Sequence, residues 1–425
     1  MKNTGPLIAI TAAVAIGVAI LLAVNVVGGD DTEPSEAASA TTATTVGAPD
    51  STTTTASDPR ESTVAVFDRS RLPVDLQIVS EEWTTDFSLT TIEYDELLIG
   101  IRSLPIRDRI PPIDSPRFEP AVDGQHIADR EPGLALQIGD DARFYPLSIL
   151  TAHEIVNDVV GGQPVAVTFC PLCNSAIVFD RVFEGEELRF GVSGLLRNSD
   201  LVMWDNHTES LWQQLTGEGL VGAHAGDQLT FIPSTISSFE DFKRQHPAGL
   251  VLDADQGFGR RYGHNPYVGY SSRSAPYGFF DQNDLDDRFP ALERVVNVTL
   301  GDTAKAYPFS VIAASPAIND TVAGSDIVVL WGGDTADALD AGEIVLAEGI
   351  GTGIAFNRAV GDQVLTFTAV GDGAFVDDET GSVWDLNGTA LTGPLAGTQL
   401  EPVVHGNEFW FAWAAFNPEA EVYDS

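Results

Sequence analysis

The sequence predicts an α+β protein: two duplicated, mostly antiparallel and barrel-like β units with short helices, behind an N-terminal transmembrane helix and a disordered stalk. Three observations carry this. First, the chain repeats itself. "GDDARFYPLSILTAHEIVNDVVGGQPVAVTF" from Gly139 aligns without a gap on "GDTAKAYPFSVIAASPAINDTVAGSDIVVLW" from Gly301. Second, each copy is a series of short β-prone runs broken by turn residues, the rhythm of a strand-rich unit. Third, from Pro6 to Val27 the only polar residues are Thr11 and Asn25.

Residues 1–29 read as a membrane anchor or signal. The apolar run can span a bilayer core of about 30 Å as a helix. It is longer than the roughly 7–15 residues typical of a cleaved signal core. Lys2 precedes it and acids follow, which keeps the N-terminus cytoplasmic and places the rest outside. The expectation is a single-pass cell-membrane protein, or a secreted one if the segment is cleaved. Residues 30–62 are rich in Thr, Ala, Ser, Pro and Asp, with Val46 the only large apolar side chain. Such a stretch buries too little surface to fold and reads as a stalk. Residues 63–133 form an extension packing on the core. Residues 134–253 are the first repeat and 295–425 the second. Between them, residues 254–294 are rich in Gly, Tyr and Pro. They are too aromatic for a free linker and read as an ordered connector.

Within the first repeat, "LALQIG" and "ARFYPL" form a hairpin around Gly139-Asp140-Asp141. "LSILTAHEIVND" has a helical period, with Ile149, His153 and Val156 on one face. "PVAVTF", "AIVFDR", "ELRFGVSG" and "DLVMWD" read as strands. "SSFEDFKRQHP" is a short helix stopped by Pro247.

The 62 acids against 22 bases give a formal net charge of −40. That surface repels phosphate backbones and excludes nucleic acid as a partner. The membrane is met through the N-terminal helix alone. No nucleophile elbow, phosphate-cradling loop or HExxH motif is present, so no enzyme class is assigned.

Tyr145-Pro146, Asn157-Asp158, Trp212 and several glycines recur in the second copy and serve the fold. Three places differ. His153-Glu154 becomes Ser315-Pro316. Phe169–Val178, with Cys170 and Cys173, becomes Trp331–Ala355. "LLRNSDLVM" is shortened by about five residues. The first repeat therefore carries the chemistry, and the second is a degenerate, structural partner.

Cys170 and Cys173 are the only cysteines, held in "CPLC" between two strands. Three readings stay open. A metal knuckle needs further ligands: His153 as third and Met203 as fourth make a soft set suited to copper or zinc. Glu154 then orients the site, with Arg197 and Asp200 beside it. A redox dithiol is the second reading, although a strand rather than a helix follows Cys173. A structural disulfide, permitted outside the cell, is the third.

At "HEIVND", "VTFCPLCNSAIVFDR" and "FGVSGLLRNSDLVMWDNHTESLW" the chain resembles a bacterial and archaeal family known as domain of unknown function 3179. The resemblance runs from about Trp83 to the C-terminus and includes "LPIRDRIPPIDSPRF". The family pattern has Gly or a small residue after the second cysteine, where this chain has Asn174. The resemblance implies an exported or anchored setting and supplies no activity.

Overall fold

The computed structural model describes residues 67–371 and 373–424. The apolar run Pro6–Val27 and the Thr-rich stalk lie outside the described residues. Among the described residues no helix is long and apolar enough to cross a membrane.

Each repeat begins with a hairpin. Pro132–Ile138 pairs antiparallel with Asp141–Pro146, and Val295–Leu300 with Thr303–Pro308. Gly139 and Gly301 open the two tight turns at φ +61° and +58°, where a residue without Cβ pays no steric penalty. A short helix follows, Leu147–His153 or Phe309–Ile312. Then come three antiparallel strands: Ile155–Val160, Gln163–Cys170 and Ser175–Asp180 in one repeat, Ala317–Val322, Ser325–Gly332 and Thr352–Asn357 in the other. A third sheet is built from Phe190–Arg197, Asp200–Asp205, Leu211–Gln213 and Gly219–Val221. Phe367–Gly371, Ala374–Asp377, Val383–Asp385 and Ala390–Thr392 repeat it. One parallel pair occurs at the same place in each half, Leu250–Leu252 beside Arg143-Phe144 and Glu421–Val422 beside Lys305-Ala306.

Two expectations are corrected. The sheets are open, not barrel-like: each of the larger ones has four or five strands, short of the roughly eight that enclose a filled barrel. The helix also ends at His153 rather than running on through Asp158. Glu154 takes φ +59°, which no helix accommodates, and the β-branched run after it pairs with Gln163–Thr168. The 3.6-residue spacing of Ile149, His153 and Val156 straddles this break.

The residues common to both copies close the same bonds twice. Tyr145 donates to Asp158 at 2.6 Å and Tyr307 to Asp320 at 2.7 Å. Asn157 both accepts from and donates to the backbone of Phe190, as Asn319 does with Phe367. The indole N–H of Trp212 donates to Asp205 at 2.9 Å and that of Trp384 to Asp377 at 2.8 Å. All are buried or half-buried polar groups that need partners, so their recurrence reports the fold.

One continuous core takes in Phe169, Met203 and Trp212 of the first repeat, Tyr270 of the connector, and Phe409 and Trp410 of the second. The N-terminal extension packs separately, with Leu72, Trp83, Phe87 and Ile106 against Leu195, Val202 and Leu211.

Candidate metal centre

Gln163–Cys170 and Ser175–Asp180 stay in register to their last rung, Cys170 opposite Ser175. Pro171, Leu172, Cys173 and Asn174 form the loop between them. The Cys173 N–H donates to the Cys170 carbonyl at 3.2 Å. The loop's own carbonyls are taken up from outside the repeat. Tyr270 of the connector donates to Leu172 O at 2.8 Å. Phe409 N–H donates to Cys173 O at 2.9 Å. Asn174 Nδ2 donates to Asn407 O at 2.7 Å. Connector and second repeat thus cover the knuckle, and the two thiols are 2 % and 0 % exposed.

Asp200 arrives from a hairpin that is longer here than in the second repeat. Leu195↔Val202 in the first copy corresponds to Gly371↔Ala374 in the second, where the turn follows at once. The first copy adds two rungs, Leu196↔Leu201 and Arg197↔Asp200. Its turn residues Asn198 and Ser199 sit at φ +51° and +65°, a conformation that costs a side-chain-bearing residue about 1–2 kcal/mol. The turn sets Asp200 against the knuckle: a carboxylate oxygen and both Sγ atoms all lie within 4.8 Å of one another. The Ser199 carbonyl accepts from Cys170 Sγ at 3.8 Å.

Asp200 Oδ2 accepts from Gln213 Nε2 at 2.7 Å and from Leu215 N–H at 2.9 Å. Its Oδ1 is buried and has no N–H or O–H donor among the described residues. Glu154 is also buried, at 8 % exposure. Burial, with the Asp200 carboxylate adding to it, pushes the Glu154 pKa up to about 8. Burial pushes Asp200 to about 6, against the bonds from Gln213, Leu215 and the two thiols. It also raises both thiols, Cys173 well above its ordinary value. Neither Glu154 nor Asp200 has a Lys, Arg or His nitrogen within 4 Å among the described residues. Four acidic groups crowded without a counter-charge demand protons or a cation.

His153 does not join them. Its Nδ1 lies 2.6 Å from Pro111 O, which only accepts, so Nδ1 carries the proton. Nε2 then accepts from Tyr262 OH at 2.7 Å. Burial holds its pKa down at about 4. Both ring nitrogens are engaged, and the helix break at Glu154 separates the two neighbours: the carboxyl is coupled to Asp200, the imidazole is held elsewhere. Met203 is fully buried opposite Val192 and Trp212, in the same core as the sulfurs. Arg197 binds Glu96 at 2.8 Å, lies over the Phe416 ring and reaches Gln213 Oε1 at 3.5 Å. It therefore stands outside the amide that holds Asp200. Asp200, expected beside the site, is itself at the sulfurs.

Glu408 was not foreseen. It accepts from Ser175 Oγ at 3.4 Å and from Asn297, and burial raises its pKa to about 7. Its only sequence signal is a lone acid before the apolar helix Trp410–Phe416.

Around a tetrahedral zinc, with Zn–S near 2.3 Å and Zn–O near 2.1 Å, ligand atoms stand roughly 3.5–3.8 Å apart. The three donor atoms lie within 4.8 Å of one another, so closing on a metal draws them together by up to about 1 Å. A thiol–disulfide exchange site needs an accessible thiolate of lowered pKa, whereas these thiols are buried and raised.

No curated protein and no solved structure matches the chain. A family model matches residues 107–420, beginning after the Trp83 boundary read from the sequence and taking in both repeats, the connector and the CPLC knuckle; the chain belongs to the family described as Protein of unknown function (DUF3179).

Proposed function

We propose that the first repeat binds one divalent transition metal, zinc first and copper second, through Cys170, Cys173 and Asp200. A carboxylate in place of the imidazole and thioether hardens the donor set, which favours zinc over copper. One observation carries the reading: a carboxylate oxygen of Asp200 and both thiol sulfurs, all buried, lie within 4.8 Å of one another, and Asp200 Oδ1 has no N–H or O–H donor among the described residues. Glu154 is the nearby carboxyl whose charge the cation would stabilise. In this reading the second repeat is a structural partner that keeps the knuckle dry. The whole sits outside the cytoplasm behind the apolar segment Pro6–Val27, as the sequence order of Lys2, span and acids indicates.

Elemental analysis of the purified chain, incubated with zinc and desalted, tests this. One metal per chain is expected, with none in Cys170→Ser and weakened retention in Asp200→Asn. A metal-free parent whose thiols titrate as fully reduced ends the proposal.

A further inference from the structure

A concavity of about 300 Å3 opens beside the helix Leu147–His153. Its polar lining is His126, Glu131, Ser148, Arg260, Arg261 and Tyr262. The chain has nearly three acids for every base, and its buried and half-buried cations are mostly claimed: Arg143 by Asp158, Arg189 by Asp108, Arg294 by Asp337. Half-buried Arg260 is an exception, with no carboxylate within 4 Å among the described residues, and the exposed Arg261 beside it has none either. Arg260 instead donates through Nη1 to the carbonyl of Ala152, which fixes the guanidinium and leaves its other donors uncommitted.

The remaining lining supports the same sign. Glu131, its one acid, is 6 % exposed and takes a hydrogen bond from the Ser148 hydroxyl. Burial raises its pKa, so the carboxyl resists ionisation. His126 is matched to Glu119 at 3.0 Å, and the Tyr262 hydroxyl is spent on His153. The concavity is thus lined by two arginines free of carboxylate partners, a residue type whose planar fork suits carboxylate and phosphate oxygens.

We propose that this cavity binds a small phosphate- or carboxylate-bearing ligand, with Arg260 and Arg261 as its clamp. The volume is at the lower end of small-molecule sites, which fits a metabolite-sized anion and not a polymer. The site is independent of the metal reading.

The test is calorimetric titration of the full chain with inorganic phosphate and, separately, with malonate, in chloride buffer. At least one probe binds with a dissociation constant of about 1 mM or tighter, and Arg261→Gln weakens it by about tenfold, near the 1.4 kcal/mol of one charge-assisted bond. Arg261 is solvent-exposed, so this variant keeps the fold even if Arg260→Gln loses it with the Ala152 bond. Arg102→Gln, an exposed arginine elsewhere, leaves binding unchanged. Two results overturn the proposal: no heat from either probe at about 20 mM, far above any specific affinity, or equal losses in the Arg102 and Arg261 variants.

Discussion

Replacing Glu154 by Gln keeps the shape of the side chain and removes its charge. In the unfolded chain the carboxyl titrates at its ordinary 4.5; in the fold it titrates at about 8, because burial and then the Asp200 carboxylate oppose ionisation. Between those values the native state holds a proton that the unfolded chain has released. Stability contributed by this group therefore falls as pH rises from about 4.5 to about 8. Each pH unit is worth about 1.4 kcal/mol, so by pH 7 the metal-free protein carries a penalty of roughly 3 kcal/mol at Glu154.

Glu154→Gln removes that penalty. Urea unfolding of chelator-treated parent and variant at pH 5, 6, 7 and 8 measures it. The curves differ by less than about 1 kcal/mol at pH 5 and separate by a little over 1 kcal/mol per unit up to pH 8, with the variant more stable. Asp200 and Glu408 titrate in both proteins, so most of their contribution cancels in the difference. Saturating zinc shrinks the gap, because a bound cation favours the ionised carboxylate. Parallel curves, or a variant less stable than the parent at pH 7, would refute the picture of an uncompensated acidic cluster.

Three further outcomes follow from the geometry. His153→Phe leaves metal stoichiometry unchanged and lowers stability by about 1–3 kcal/mol, because Pro111 O and Tyr262 OH lose their partner; loss of the metal would restore His153 as a ligand. Asn174, at φ +53°, tolerates Gly at a cost of about 1 kcal/mol for the bond to Asn407, whereas Val costs roughly 2–3 kcal/mol by urea midpoint; equal costs would mean that the left-handed turn carries no strain. In native protein an aromatic disulfide reagent reacts slowly with both thiols and titrates them fully on unfolding; fast native reaction would contradict their burial.

The duplication made most of the fold readable. Where both copies carried the same residue, as at Tyr145-Tyr307 or Trp212-Trp384, its role was a repeated hydrogen bond, and strands and turns followed their usual composition. Asn174 shows the same logic on a small scale: the turn needs φ above zero, which Gly or Asn supplies, hence the residue the family pattern allows there. The three places where the copies differ contribute Glu154, the two cysteines and Asp200, which the fold sets near one another. Who stands next to whom was hidden by backbone geometry. A single residue at φ +59° took His153 out of the cluster and left Glu154 coupled to it, and no periodicity argument sees such a break. Two additional hairpin rungs carried Asp200 to the sulfurs, whereas the sequence showed only an unequal loop length. Glu408 lay beyond reach because its partner Ser175 is far away along the chain.

Among the described residues the second repeat gathers no cluster like that of Cys170, Cys173 and Asp200, and yet it covers their loop. Strand register sets Gly332 opposite Thr352 where the first copy has Cys170 opposite Ser175, and Pro316 follows its helix where Glu154 stands in the first. Its contacts with the first repeat are reciprocal. Asn407 and Phe409 engage the first knuckle at Asn174 and Cys173, while Thr352 of the equivalent hairpin donates to Ile236 O of the first repeat at 2.6 Å. A backbone loop that points carbonyls into a core must find donors for them. Phe409 N–H, placed at the start of an apolar helix, provides one with no competing side chain. Keeping water from the thiols and satisfying the loop that holds them are thus one structural task, and it falls to the half that has Gly332 and Pro316 where the first has Cys170 and Glu154.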